Sequence, residues 1–321
     1  MIYLYVCTRD AYAAPSFPLR RHDMRHIVGL AFLALTLWCT GVSAENNGAL
    51  SPLPPLNDPA TGEHLPGKVI FADYFTSDID TARRFYGQLF GWEWRAMTGD
   101  NSYGIFYQGD LAVAGVALRE ETGNSRAYGR WIYYISTAQV AEKVAEVSGR
   151  GGRVLLEAQE VAGRGTMAVV ADAEEAPFGL LESSSGDPAD YRSEPGQWLW
   201  VSIYSHDVEK ASHFYRSLFG YDVSQAEDVG DNLDLILSKD GYARAGIGHL
   251  PAESPSHPTW LGYVRVADVG ASVAKALELG GDVLMAPAPE IFDGKLAVVS
   301  DPAGATIALI HWNYDDTGVA P

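Results

Sequence analysis

The chain has 321 residues, with 41 Asp and Glu against 23 Lys and Arg and a net charge of −18. Nucleic acid and anionic membrane surfaces are excluded as partners, because both are polyanions that need clustered Lys and Arg, and no such run exists here. With 47% hydrophobic and 20% charged residues, the composition is that of a chain able to bury a large core, and its length suits two domains.

Residues 1–44 read as a targeting region. Met24-Arg25-His26 gives a short positive start, Ile27 to Trp38 an apolar run of 12 residues, and Val42-Ser43-Ala44 a small-residue cleavage signal. The run is too short for a bilayer span, which needs about 20 apolar residues. Met24–Ala44 is therefore expected to be a secretory signal peptide cut before Glu45, with translation starting at Met24 and a periplasmic or secreted product that keeps no membrane contact. A lipoprotein acylated at Cys39 is the weaker alternative, since bulky Trp38 stands where a small residue is needed. Cleavage leaves 19 basic against 39 acidic residues and, with Cys7 and Cys39 gone, no thiol. Disulfides, thiolate nucleophiles and cysteine metal sites are then excluded. Residues 45–66 carry five prolines and read as an extended tether.

A repeat organises the remainder. Asp78, Phe85-Tyr86 and Leu89-Phe90-Gly91-Trp92 return as Asp207, Phe214-Tyr215 and Leu218-Phe219-Gly220-Tyr221, at an offset of 129. The same offset relates Trp131 to Trp260, Tyr134 to Tyr263, Gly151-Gly152 to Gly280-Gly281, Asp172 to Asp301 and Leu180 to Leu309. Two homologous domains follow, 67–183 and 197–313, with a Ser/Gly/Pro-rich linker at 184–196 and a tail at 314–321.

In the first domain a strand over Lys68–Phe75 leads into a helix opened by Ser77 and Asp78. Its apolar residues Ile79, Ala82, Phe85, Tyr86 and Leu89 recur at three- and four-residue spacing, and Gly91 ends it. Strands over Trp92–Met97, Tyr103–Gln108 and Leu111–Leu118 follow. The pattern restarts with a strand at Trp131–Ser136, a helix at Ala138–Ser148, a Gly151-Gly152 turn and strands near Arg153–Leu156, Thr166–Ala171 and Phe178–Glu182. The second domain repeats this order, from Trp198–Tyr204 and a helix at Val208–Phe219, through Leu261–Val266 and a helix at Val269–Leu279, to strands ending at His311. Each domain is thus βαβββ written twice, an α+β architecture.

These paired units, the Asp-to-Gly-Trp/Tyr helix and the Gly-Gly turn resemble the vicinal oxygen chelate superfamily of glyoxalases, extradiol dioxygenases and bleomycin- or fosfomycin-resistance proteins. The resemblance implies a U-shaped mixed sheet in each domain, helices outside and a ligand cavity on the concave side. In metal-dependent members, His, Gln or Glu on the first strand of each unit and a Glu on the last strand hold one divalent cation. Carried over by spacing, those positions are Phe71, Ile132, Trp200, Leu261, Gly179 and Ala308. None offers the imidazole or carboxylate that such a cation needs. No metal or other cofactor is expected at the chelate positions; a metal held by residues outside that spacing is the alternative.

Strand alternation places Asp73 on the face of Phe71, Arg130 and Tyr134 on that of Ile132, Ser202 and Tyr204 on that of Trp200, and Tyr263 and Arg265 on that of Leu261. Asp73, Tyr134 and Tyr263 are the candidate catalytic residues, by proton transfer or donation to an oxyanion. Phe71, Arg130, Ile132, Trp200, Ser202, Tyr204, Leu261 and Arg265 are the candidate ligand-binding set. Against this stand satisfied structural tyrosines, arginines solvated at strand ends and aromatic side chains that are simply core. His249 and His311 have no second ligand at metal spacing, and the Gly-rich stretches at 149–152 and 163–165 lack the strand-loop-helix order of a phosphate cradle.

Two functions stay open. One is an exported, metal-free binding protein for a small apolar or aromatic ligand, like the antibiotic-sequestering members of the superfamily. The other is an enzyme of lyase or dioxygenase type acting on a small carbonyl or catechol-like substrate. The tandem repeat can supply internally the pairing such domains otherwise find in a second chain, so a pseudo-symmetric monomer is expected.

Overall fold

A computed structural model describes residues 53–99, 101–119, 128–226, 234–251 and 256–314; the predicted signal peptide lies outside them. Asp78, Asp207 and Asp268 each end an extended segment and accept a hydrogen bond from the backbone N–H three residues on, at 2.9, 2.9 and 2.8 Å. These caps start helices α1 (Ile79–Phe90), α3 (Val208–Phe219) and α4 (Val269–Glu278). The fourth helix, α2 (Val140–Gly149), has Gln139 at that place, in a left-handed conformation and without a side-chain cap. Gly91 and Gly220 close α1 and α3 with φ of 75° and 68°, which glycine adopts without strain. No helix among the described residues is long and apolar enough to cross a membrane.

Sixteen strands form two eight-stranded sheets. The first contains β1 (Val69–Thr76), β2 (Glu93–Ala96), β3 (Tyr103–Gln108), β4 (Leu111–Leu118), β5 (Gly129–Ser136), β6 (Arg153–Val161), β7 (Gly165–Ala171) and β8 (Pro177–Ser183). The second contains β9 (Trp198–Ser205), β10 (Asp222–Gln225), β11 (Leu235–Lys239), β12 (Tyr242–His249), β13 (Thr259–Arg265), β14 (Asp282–Met285), β15 (Leu296–Ser300) and β16 (Thr306–Ile310). Their orders, β2-β3-β4-β1-β5-β8-β7-β6 and β10-β11-β12-β9-β13-β16-β15-β14, are the same arrangement twice. In each, the first strands of the two βαβββ units pair antiparallel at the centre, while β1 with β4 and β5 with β8 run parallel.

One continuous apolar core lies between the helix-facing sides of the two sheets, with Tyr86, Trp131 and Phe85 from one and Tyr215, Trp260 and Phe214 from the other. Its polar groups are satisfied across the domains in a reciprocal pattern. Tyr86 donates to Asp301 at 2.9 Å and receives from Trp131 Nε1 at 3.1 Å. Tyr215 donates to Asp172 at 2.9 Å and receives from Trp260 Nε1 at 3.0 Å. At the centre, the Gly262 amide donates to the Tyr133 hydroxyl at 2.9 Å, joining two positions that the repeat makes equivalent. A Cβ on Gly262 would lie 2.4 Å from that hydroxyl, so only glycine fits.

Residues 53–66 form neither helix nor strand, as their four prolines dictate, yet they are docked along the first sheet. Leu53 N–H donates to Ala162 O at 2.9 Å, Asn57 N–H to Ser185 Oγ at 3.1 Å, and Asp187 N–H to Glu63 O at 2.7 Å. The start of the interdomain linker is thereby spent holding the tether in place.

Candidate functional site

Three regions could hold a ligand: the concave cup of each sheet and a cleft between the sheets. In the first cup, register places Asp73 opposite Ile132 and Phe71 opposite Tyr134. Their neighbours Ala72, Tyr74, Trp131 and Tyr133 face the helices instead. Asp73 is 5% exposed. It accepts from the Tyr103 hydroxyl at 3.1 Å and also from Tyr134. Burial pushes its carboxyl above the usual range, against the opposing pull of the Arg164 cation and the two phenols. Burial likewise raises Tyr103 and Tyr134, so both stay protonated donors at neutral pH. Arg130 is exposed at its strand end. Tyr103 and Arg164 were not among the residues singled out from the sequence. Tyr103 comes from a strand that carried no spacing signal, and Arg164 stood in a Gly-Arg-Gly stretch that reads as a turn.

The chelate positions of this cup do not fit a metal. Phe71 and Ile132 carry hydrocarbon, and a Cβ on Gly179 would lie 2.1 Å from the Tyr134 ring. The space where a last-strand glutamate would begin is therefore filled by a phenol. In the second cup, Trp200, Leu261 and Ala308 occupy the equivalent places. Among all described residues, no three His, Cys, Asp or Glu side chains converge as a metal would require.

In the second cup Tyr204 and Tyr263 join hydroxyl to hydroxyl at 2.8 Å, and Trp200 Nε1 donates to Ser202 Oγ at 3.0 Å. Burial holds both phenols above their ordinary range. Leu261 and Tyr263 are packed against the half-buried Trp200, Tyr204, Met285, Phe292 and Trp312. Arg265 is committed to the main chain: its Nε donates to Trp312 O at 2.9 Å and Nη1 to Ser193 O at 2.5 Å. The register that puts it beside Tyr263 does not leave it free for a ligand carboxylate.

The cleft between the sheets measures about 840 Å³. It is built where the starts of β1 and β9 meet the β3–β4 and β11–β12 hairpins, with the linker across it. Trp198, Trp200 and Tyr242 give aromatic wall, and Lys68, Arg244 and Asp190 give charge. Lys68 Nζ and Arg244 Nη1 both contact Asp190, at 2.9 and 2.8 Å. Two cations therefore share one carboxylate. Burial pushes the Lys68 amine below its ordinary range, and Arg244 Nε is buried without an acceptor. Of the residues singled out from the sequence, Phe71 and Trp200 reach this cleft.

Residues 198–309 match the model of the Glyoxalase/Bleomycin resistance protein/Dioxygenase superfamily. The first sheet repeats the second strand for strand. The second domain therefore carries the signature of this superfamily, and the first shares its topology. Its sequence is 29% identical over 257 residues to the glyoxylase-named CFP32 of Mycobacterium bovis, covering 78% of this chain and 97% of that one. It is 28% identical over 259 residues to the anthracycline biosynthesis protein DauV of Streptomyces sp. strain C5, covering 77% and 94%. In fold it is similar to the Mn(II)-bound glyoxalase of Novosphingobium aromaticivorans, with a TM-score of 0.53 at 16% identity, covering 77% and 83%. The 2,3-dioxygenase LapB of Pseudomonas sp. KL28 gives 0.53 at 13%, covering 78% and 94%. The chain thus has the architecture of these structures, with apolar residues at the chelate positions.

Proposed function

We propose that this protein is an exported, monomeric binding protein that takes a small planar aromatic ligand in the cleft between its sheets, without a metal. The observation that carries the reading is the pairing of an aromatic-walled cleft of about 840 Å³ with chelate positions that have no donor atoms. The volume lies within the range of sites for drug-sized molecules. Trp198, Trp200 and Tyr242 supply faces for stacking, and Arg244 Nε supplies an unused donor for a ligand carbonyl or phenolate. The likeness to an anthracycline biosynthesis protein supports a polycyclic aromatic ligand. The apolar segment Ile27–Trp38 with its small-residue cleavage signal supports export, and the reciprocal Tyr–Asp contacts between domains support a monomer.

The experiment is a titration of the mature chain with 1,4-dihydroxyanthraquinone, followed by tryptophan fluorescence, alongside elemental analysis of the dialysed protein. Saturable one-to-one quenching, abolished in Trp200→Ala, with metal far below one per chain is the expected result. Near-stoichiometric Zn, Mn or Fe that survives dialysis overturns the metal-free part; unchanged quenching in Trp200→Ala overturns the cleft.

An enzymatic reading, acting on a small carbonyl or catechol-like substrate, is favoured by one arrangement: Asp73 set between two protonated phenols in a buried cup. In that case Asp73→Asn removes turnover and leaves affinity nearly intact.

A further inference from the structure

Arg164 is 1% exposed, and Nε, Nη1 and Nη2 are all buried without a hydrogen-bond acceptor. Its position is imposed by the β6–β7 turn. Gly163 and Gly165 flank it with φ of 80° and 122°; a Cβ on the first would lie 2.0 Å from Leu53 O, and on the second 2.0 Å from Glu182 O. The turn is wedged between β8 and the docked segment 53–57, and the Arg164 side chain runs inward until its Cζ lies 3.9 Å from the centre of the Phe71 ring. Leu53 packs on the Tyr103 side of the cup and Leu56 on the Phe71, Ile132 and Tyr134 side, so the segment is a strap across the mouth.

A guanidinium in this setting lacks what buried charge requires. Stacking on Phe71 offsets part of the desolvation cost but satisfies no N–H. Asp73 feels the Arg164 charge, yet its oxygens receive Tyr103 and Tyr134, and no Arg164 ion pair within 4.0 Å forms among the described residues. Arg164 thus has an intact fork of donors, stacked on Phe71 in the buried cup. That fork matches the two oxygens of a carboxylate. With one cation present and a carboxyl close by, a dianion would be left further short of counter-charge than a monoanion.

We propose that the cup of the first sheet binds a small monocarboxylate, with its oxygens on Arg164, its apolar part against Phe71 and Ile132, and the Leu53–Leu56 strap closed over it. Of the residues in this site only Phe71 also lines the inter-sheet cleft; Arg164, Asp73, Tyr103, Ile132, Leu53 and Leu56 do not, so the inference does not rest on the ligand proposed there.

The test titrates the mature chain with acetate, butyrate and benzoate at constant ionic strength, using calorimetry and the Arg164 Nε–H resonance. The expected result is saturable one-site binding of at least one of the three, with the resonance moving in step. Arg164→Lys keeps the charge but loses the fork and should weaken binding about ten- to a hundredfold, the range for a hydrogen bond to a charged group. Leu56→Ala should raise the on- and off-rates together, and Trp200→Ala should leave carboxylate binding intact even if it abolishes quenching by the anthraquinone. Failure of all three carboxylates to saturate, or saturation with equal affinity in Arg164→Lys, overturns the proposal. Should Arg164→Lys not fold, an unmoved Arg164 resonance in saturated wild-type protein does the same.

Discussion

The reciprocal tyrosines at the domain interface allow a differential prediction. Tyr86 and Tyr215 occupy equivalent places in the repeat, and each links a buried carboxylate of the other domain to a tryptophan N–H. Their acceptors are not equally supplied. Asp301 also receives the Tyr74 hydroxyl, whereas the residue equivalent to Tyr74 in the second domain is Ile203, so Tyr215 is the side-chain donor on which Asp172 depends. Both aspartates keep two backbone N–H donors, from Glu174 and Ala176 in one case and Ala303 and Ala305 in the other. Tyr→Phe at either site deletes a hydrogen bond to a charged group and strands an indole N–H, but only at Tyr215 does it remove all side-chain support. We expect a loss of about 3 kcal/mol for Tyr215→Phe and about 2 kcal/mol for Tyr86→Phe, from the usual worth of such bonds and the cost of an unmatched buried group. Urea unfolding at pH 7.5, followed by far-UV circular dichroism, measures both; the slope should be unchanged and the midpoints displaced in that order. Linkage adds a second signature. Burial already raises Asp172, and removing its phenol raises it further. The native carboxyl of Tyr215→Phe then favours its proton more strongly, and the deficit should grow as pH rises through the raised native value of Asp172. Equal losses, or a larger loss for Tyr86→Phe, refute the assignment of Asp172 to a single phenol.

Asp73 gives a related expectation. Its raised carboxyl stabilises the fold below about pH 4 and loses that contribution as pH climbs through the native value, so Asp73→Asn should gain stability relative to wild type between pH 4.5 and 7.5, read from urea midpoints. Gly179→Ala places a Cβ 2.1 Å from the Tyr134 ring and should cost about 2 kcal/mol or more, since overpacking a well-filled core is penalised on that scale; pairing it with Tyr134→Ala should restore part of the loss. Dialysis against a chelator should leave the melting temperature unmoved, because a bound metal stabilises whatever state holds it and a drop would reveal one. Leu53→Asp should loosen the strap without unfolding the sheets, seen as faster amide exchange at Ala162 to Arg164.

The sequence by itself determined the architecture. The 129-residue repeat shows the two domains, while the Asp caps and the Gly91 and Gly220 exits are local signals, each satisfied by bonds within a few residues, that fix where helices start and stop. It also determined that Phe71, Ile132, Gly179, Trp200, Leu261 and Ala308 carry no metal-binding atoms, since that is a property of side-chain type. Alternation assigned faces correctly, because a strand's period is two wherever it lies. What lies opposite a face depends on chain segments far apart, and only the tertiary structure decided that. Arg265, on the right face, is consumed by Trp312 O and Ser193 O, contacts 47 and 72 residues away. Arg164, in a turn that local reading treats as solvent, is driven inside by close approach of residue 53 on one side and residue 182 on the other. The proline-rich tether, irregular by composition, becomes a strap because Ser185 and Gly186 bond to Asn57 and Asp187 to Glu63 and Leu65 across more than a hundred residues. Hydrogen bonds and packing between such distant segments leave no periodic trace in the sequence, which is why the elements were legible and the occupants of the cups were not.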